Sequence, residues 1–421
     1  MGQAMSLEIL EDLFKRAVAA AQPGPAVRAH LPQPPAGRTI VVGAGKASSQ
    51  MARALEEAWG RPLTGLVVTR YGYATPCDRI EIVEAAHPVP DAAGYLAARR
   101  IMEKVAGLSH DDLVIALISG GGSALLPQPA PGMHLEDEQA LNHVLLASGA
   151  PIGVMNLIRN ELSAIKGGRL AAMASPARVA TLVVSDVPGD DPALVASGPT
   201  IAMRSSRAEV RHLVSLYDID LPQAAQDVLA GDDNPAPRPD DPRFAGNTVT
   251  IIASAALSLE AAAKRAADRG IRAHILSDAI EGEARDVAQV HAALAREIAT
   301  RSRPFGRPAL LLSGGETTVT LRGTGRGGRN AEFMLALAIA IDGQEGISAL
   351  AADTDGIDGA GDNAGAFADG HTAAKMRAAG IDPRAALANN DAYNAFRAVG
   401  GLVVTGPTGT NVNDFRAILV R

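Results

Sequence analysis

The chain has 421 residues, 47% of them hydrophobic and 20% charged, a composition that fits two or three globular domains and excludes a disordered chain. Its net charge of −7 argues against a nucleic-acid partner, which would call for a basic face. No apolar run approaches the roughly eighteen residues of a membrane span, and the charged N-terminal stretch lacks a secretory core. A single cysteine, Cys77, forms no internal disulfide, so the expected location is cytoplasmic. Aromatic residues are only 3%, so the cores must be built from Ala, Val, Leu and Ile.

Taken in order, Ser6–Ala21 reads as a helix with Ser6 as N-cap, and Pro23–Gly37 as a proline-rich connector. The β-branched run Thr39–Val42 predicts a buried strand; Gly43, Gly45 and Lys46 follow, then Met51, Leu55 and Trp59, spaced as a helix core face. Strand, glycine turn and helix place N–H groups and a positive dipole end where an anion can sit, and Lys46 adds a mobile cation. Neither common phosphate motif fits. A P-loop needs Gly at the place of Ile40 and Ser or Thr at Ala47. A dinucleotide fingerprint needs a third glycine at Ser48 and, about twenty residues on, an acid. The next strand ends instead in Arg70, Tyr71 and Gly72, which leaves only a 2′-phosphate, hence NADP, open.

Strands are predicted at Leu66–Thr69, Ile80–Glu84, Leu113–Ile118 and Val179–Ser185, apolar on both faces and alternating with helical patterns, as in a parallel sheet covered by helices. Gly231–Gly246, rich in Pro, Asp and Gly, reads as a linker between two α/β halves, giving domains 1–240 and 241–421. Beyond it come strands Val249–Ile252, Ala273–Leu276, Ala309–Leu312, Thr317–Arg322 and Ser348–Ala352. Helices Ala256–Gly270 and Asn330–Asp342 lie among them, and Leu402–Thr405 with Ala417–Val420 form a last strand pair. The fold class is α/β, with a mixed sheet in the second half.

The densest motif is LISGGGSALL, which sets Ser119, Gly120, Gly121, Gly122 and Ser123 at a strand's carboxyl end as a nest of N–H groups. Ala124 and Leu125 follow Ser123, so this is no nucleophile elbow. Asn156, Arg159 and Ser163 fall on one helix face, closed by Gly167 and Gly168. Asp186 and Asp190, after a strand in SDVPGDD, could hold magnesium or accept a proton. Ser313, Gly314 and Gly315 echo the first Ser-Gly-Gly, and Glu316 adds a carboxylate suited to metal or hydroxyl handling. In GTGRGGRNAE, Arg326 and Arg329 are placed to swing onto a phosphate where a helix opens. Ala352–Asp369 carries five aspartates, but the place of an EF-hand glycine is taken by Asp358. Such acid density calls for a cation or an arginine nearby. The nine histidines lack zinc spacing.

With these pieces in order, the chain closely resembles the glycerate 2-kinases of the MOFRL family, which also carry an older label, hydroxypyruvate reductase of the tartrate-degradation type. The matching stretches are GAGKAS, AHPVPDAAG, LISGGGSALL, KGGRLA, VVSDVPGDDPALVASGPT, LLSGGETTVTLRGTGRGGRN, ADTDGIDGAGDNAGAFAD and PTGTNVND, in family order over nearly the whole chain. The resemblance implies a Rossmann-like N-terminal domain with a parallel sheet, a smaller C-terminal α/β domain with the family region near 306–415, and a cleft between. It implies ATP-dependent phosphorylation of the 2-hydroxyl of D-glycerate with Mg²⁺. Lys46 and Arg329 would stabilise the transferring phosphoryl group, and Glu316, Asp355 and Asp186 (or Asp190) would be the carboxylates. Asp355 or Asp186 would take the hydroxyl proton, and the Ser119–Ser123 nest or Lys166 the substrate carboxylate. Gly43, Gly45, Asp190, Gly314, Gly315, Arg326 and Asn330 complete the expected binding residues, in a monomer or homodimer.

Two other readings stand beside it. An NAD(P)H-dependent hydroxypyruvate reductase would need the missing glycine and ribose acid and a histidine placed to protonate a carbonyl. A non-catalytic sugar-acid binding protein would also have two lobes, but would be an exported protein.

Overall fold

Leu113–Ser119 is buried at every position, as a strand covered by helices on both faces must be, and it sits inside a sheet of like strands. The computed structural model describes residues 2–204, 206–231 and 235–421, with side chains from Met5 onward. Asp232, Asp233 and Asn234 of the expected linker lie outside the described residues, as do Met1 and Ser205. The chain divides into an N-terminal unit, Pro23–Val187 with Asp191–Ile252, and a C-terminal unit, Met1–Gln22 with Pro188–Asp190 and Ala253–Arg421.

The N-terminal unit holds β1 (Thr39–Ala44), β2 (Thr64–Arg70), β3 (Ile80–Ala85), β4 (Leu113–Ser119), β5 (Arg178–Val184) and β6 (Thr248–Ala253), in the order β3-β2-β1-β4-β5-β6. The first five run parallel. This is the doubly wound order, in which the chain reverses its direction of travel between β1 and β4. Val42, Ala44, Val68, Ala116 and Ile118 pack against Ala97, Ala98 and Ile101 of the helix Ala92–Val105. A second core, around Leu141, Leu145, Ile158, Val210 and Leu229, is built by helices that follow β4 and β5.

The C-terminal unit holds β7 (Arg272–Ser277), β8 (Gly282–Glu283), β9 (Ala309–Gly315), β10 (Thr317–Thr318), β11 (Ile347–Asp353), β12 (Gly365–Asp369), β13 (Leu402–Val403) and β14 (Asp414–Val420). Six form a mixed sheet, β13-β12-β11-β14-β9-β7, in which only β7 and β9 pair in parallel. The helices Ala284–Arg301 and Arg329–Ala340 cover one face, and Gly2–Ala20 with Ala255–Asp268 the other.

Several expectations change. The first helix belongs to the C-terminal unit, because Leu10, Leu13, Phe14 and Ala17 complete the core of Phe415, Leu350 and Leu259 there. The N-terminal unit runs on to Ile252, since the strand after the linker joins its sheet, so the division at 240 is corrected. Pro23–Ala29 is a helix within the expected connector, with Pro23 at its first position, where a missing N–H costs nothing. Thr317–Arg322 is a strand only at Thr317–Thr318. Beyond it Glu283 takes the Thr320 amide at 2.9 Å and Asn390 Oδ1 the Arg322 amide at 2.8 Å. Leu402–Val403 pairs with β12, and β14 is central between β11 and β9, so the expected last pair is not a pair. β12 itself lay hidden in the aspartate-rich stretch.

His291 ties the helix Ala284–Arg301 to β9: Nδ1 donates to Val287 O at 2.9 Å, and Nε2 accepts from Ser313 Oγ at 3.0 Å. Burial, seconded by the Arg416 charge and opposed by the bond to Val287, lowers its pKa from 6.5 to about 4. A histidine that stays neutral in the fold stabilises it above the unfolded value and loses that contribution as pH falls toward 4. Thermal unfolding from pH 7 to 4 should therefore show His291→Gln less acid-sensitive than the parent, by at most on the order of 3 kcal/mol. Parallel profiles would contradict this.

Candidate active site

In the N-terminal unit the chemistry-bearing residues stand at the carboxyl ends of the parallel strands. Lys46 follows β1, Arg70 ends β2, His87 follows β3, Ser119-Gly120-Gly121 ends β4 and Asp186 follows β5. Ligands of open α/β sheets bind at this edge, where the winding reverses. The glycine turn itself differs from expectation. Gly45 N donates to Val68 O at 3.1 Å, Lys46 N to Gly120 O at 2.9 Å and Ala47 N to Ser119 Oγ at 3.0 Å, so the protein consumes the amides expected to cradle an anion. Gly45 is required for close approach: at φ +139 its Cβ would lie 2.1 Å from Ser119 Oγ. Ser48, in the place of a third glycine, donates to Leu117 O at 2.9 Å. None of the Gly45, Lys46 and Ala47 amides is left for an anion on this turn.

Gly121 adopts the left-handed conformation, φ +79, and a Cβ there would lie 3.1 Å from His87 Nε2 and 3.3 Å from Lys46 Cε. Asp186 packs against the neighbouring Gly120, where a Cβ would lie 1.7 Å from Oδ2. Ser123 Oγ meets Ser197 Oγ at 2.8 Å, and Ser197 donates to Asn156 Oδ1 at 3.3 Å, which also takes Arg159 Nη1 at 3.2 Å. Ser163 lies past the end of that helix, Ile152–Glu161, and turns to Gln128 O, so the expected three-residue face does not form. Lys166 is corrected as well. It is buried in an ion pair with buried Glu138 at 2.6 Å and is not presented to a ligand.

In the C-terminal unit the centre is Arg329, the first residue of the helix Arg329–Ala340. Buried Asp358 fixes that helix start, accepting from Asn330 N at 2.9 Å and Ala331 N at 2.7 Å; burial pushes its carboxyl up to about 6 against those two bonds. The guanidinium is not free to swing, as had been expected. Nε donates to Asp414 Oδ1 at 2.7 Å, Nη1 to Glu316 Oε1 at 2.8 Å and Nη2 to Asp353 Oδ2 at 2.7 Å. Burial works against its charge, but Asp414, Asp353 and Glu316 outweigh it and hold its pKa above the ordinary value. Asp353 is raised well above the usual carboxylate range by its own burial and then by Asp355 beside it.

Asp414 is completely buried; it also takes Asn330 Nδ2 at 2.8 Å and pairs with Arg416 through Nη2. Asp355 is half-buried, and its Oδ1 accepts from Ile357 N at 2.8 Å. Gly314 and Gly315 close β9, with Gly314 O accepting from Arg416 Nη1 at 3.2 Å. Arg326 lies exposed over the Tyr393 ring, 4.0 Å from its centroid, and takes no part in the Arg329 cluster's hydrogen bonds.

Among the described residues no three His, Cys, Asp or Glu side chains are grouped to hold a metal ion. Asp186 falls in the N-terminal unit and Asp190, at φ 55, with the C-terminal one. Sequence reasoning did not single out Asp353, Asp414, Arg416 or His87. The signal for one pair was present: Asp414 and Arg416 stand two apart in an otherwise apolar strand, hence on one face, where a buried charge needs a partner.

A domain of unknown function (DUF4147) matches residues 9–230, and the MOFRL family matches 309–414. A D-glycerate 2-kinase of Thermotoga maritima is 39% identical over 96% of this chain and 95% of its own. A protein of Agrobacterium vitis with a provisional hydroxypyruvate reductase name is 52% identical over 98% of this chain and 94% of its own. The crystal structure of a glycerate kinase from Thermotoga maritima superimposes with a TM-score of 0.91 at 38% identity, covering 99% of this chain and 100% of that one. No described helix is long and apolar enough to cross a membrane.

Removing one partner of the Lys166–Glu138 pair strands a buried charge. Glu138→Gln should cost about 3–5 kcal/mol in denaturant unfolding, and the joint change Glu138→Leu with Lys166→Met should recover most of it. Substrate KM should be unchanged in the joint variant. A stable Lys166→Met variant with a raised KM would return Lys166 to the site.

Proposed function

Since the chain belongs to the glycerate 2-kinases of the MOFRL family, we propose that it transfers the γ-phosphoryl group of ATP to the 2-hydroxyl of D-glycerate, giving 2-phosphoglycerate. The observation that carries the mechanism is the Arg329 clamp. A guanidinium has five N–H donors; three are held by Asp414, Glu316 and Asp353, which leaves two, fixed in direction, for phosphoryl oxygens. A loose phosphoryl-transfer transition state asks mainly for positioned positive charge, and a pre-held arginine supplies it without reorganisation. Lys46 supplies a second, point-like cation. Asp186, against Gly120, or Asp355, beside Asp353, accepts the hydroxyl proton. Mg²⁺ bound with ATP would supply charge neutralisation on the phosphates.

The reductase alternative is weakened by the glycine turn. The Gly45, Lys46 and Ala47 amides are committed to Val68 O, Gly120 O and Ser119 Oγ, leaving none of them for a pyrophosphate.

Steady-state kinetics test the roles. Lys46→Ala should abolish turnover, and Arg329→Lys should lower kcat roughly 10³-fold because a lysine cannot keep two directed donors. One of Asp186→Asn and Asp355→Asn should lose roughly 10²–10⁴ in kcat and so identify the base. Unchanged kcat in Arg329→Lys would remove Arg329 from the transition state, and NAD(P)H oxidation on hydroxypyruvate without ATP turnover would restore the reductase.

A further inference from the structure

His87, like Arg70, stands at this strand edge with no role in the transfer proposed above. Its ring is half-buried, and among the described residues neither nitrogen has a hydrogen-bond partner. The contrast with His291 is direct, since both of that ring's nitrogens are bonded to protein. What His87 does face is the left-handed Gly121. A Cβ on that glycine would stand 3.1 Å from Nε2 and 3.2 Å from Cδ2 of His87, and 3.3 Å from Lys46 Cε. The imidazole edge and the lysine stem thus converge on a residue that has no side chain, and any side chain there would push one of them aside.

The geometry points to His87 as a substrate-contact residue, its Nε2–H donating to an oxygen of the anionic group that Lys46 binds over Gly121. This rests on the kinase reading, in which Lys46 meets an anion. Two oxyanions of that reaction have the right chemistry, the hydroxy-acid carboxylate and the phosphoryl group of the nucleotide. Burial, then the Lys46 and Arg70 charges, lower the His87 pKa to about 4, so the ring is neutral at ordinary pH. A neutral imidazole keeps one N–H and adds no charge of its own beside Lys46. It orients the anion that the lysine attracts. Lys can hold an oxyanion from many directions because its three donors rotate, whereas a fixed N–H selects one.

The test is nitrogen-15 NMR of histidine-labelled full-length protein, with the His87 ring assigned through His87→Gln. Three ligands are added separately: D-glycerate, a non-hydrolysable ATP analogue with Mg²⁺, and chloride as control. A His87 shift that saturates with D-glycerate identifies the carboxylate, and one that saturates with the nucleotide analogue identifies the phosphoryl group. No shift with either ligand overturns the inference. In kinetics, His87→Ala should raise the KM of that same ligand roughly ten- to hundredfold, the loss of one hydrogen bond to a charged group, with His87→Gln recovering most of it. Unchanged constants in a folded His87→Ala variant also overturn it. The two readings fail separately. Parent protein that makes 2-phosphoglycerate while His87 stays silent defeats only the histidine assignment, and a parent that makes none defeats the kinase reading.

Discussion

The Asp414 side chain has no exposed surface and lies between two guanidiniums, Arg329 on Oδ1 and Arg416 on Oδ2. Burying a carboxylate costs several kcal/mol unless partners satisfy its oxygens, and here Asn330 Nδ2 and the Thr317 amide complete the set. The C-terminal unit is arranged around that requirement. Arg416 reaches back from the same face of β14, which lies inside the sheet with β9 and β11 on either side and so keeps the pair buried. The helix that begins at Arg329 has to start where its Nε meets Asp414, and Asp358 caps it at that place. Breaking a buried pair of this kind costs about 3–5 kcal/mol, so the arginine is fixed before any substrate arrives. Glu316 and Asp353 then hold its remaining directions, and the two donors left over point where the arrangement dictates.

The two Ser-Gly-Gly turns show how similar sequences solve different local problems. Ser119 Oγ accepts the Ala47 amide and so locks the Lys46 turn to the end of β4. Ser313 Oγ is bonded to His291 and locks the end of β9 to a helix behind it. In both, the serine serves the scaffold and the glycines permit close approach. The groups proposed to meet ligands are side chains beyond these turns, Lys46 and His87, which follow β1 and β3 in one unit, and Arg329, which opens a helix in the other.

Much of this was legible in the chain itself. Strands such as Leu113–Ile118 are apolar on both faces and announced a parallel sheet, and the glycine clusters marked the carboxyl ends of β1, β4 and β9. The pairing of Lys46 with Arg329 comes from the family resemblance, since a cation beside a glycine turn is not enough by itself: Lys166, next to Gly167 and Gly168, is buried in an ion pair. The fate of Lys166 could not be read, because its partner Glu138 lies on a helix whose position depends on tertiary packing. Nor could the first helix be assigned to the C-terminal unit, since an amphipathic face says that something covers it and not what. The amides of the Lys46 turn were misjudged for the same reason: Val68 and Gly120, which take two of them, are distant in sequence. His87 escaped notice because its significance lies in what stands opposite it, a glycine more than thirty residues away in sequence.

We propose that a carboxylate-clamped arginine and Lys46 serve phosphoryl transfer to a 2-hydroxyl. Phosphorus NMR of the products formed from D-glycerate, ATP and Mg²⁺ tests it most directly. The 2-phosphoglycerate resonance should grow as ATP is consumed. A product phosphorylated at the 3-position, or no phosphorylated product from a folded protein, would contradict it.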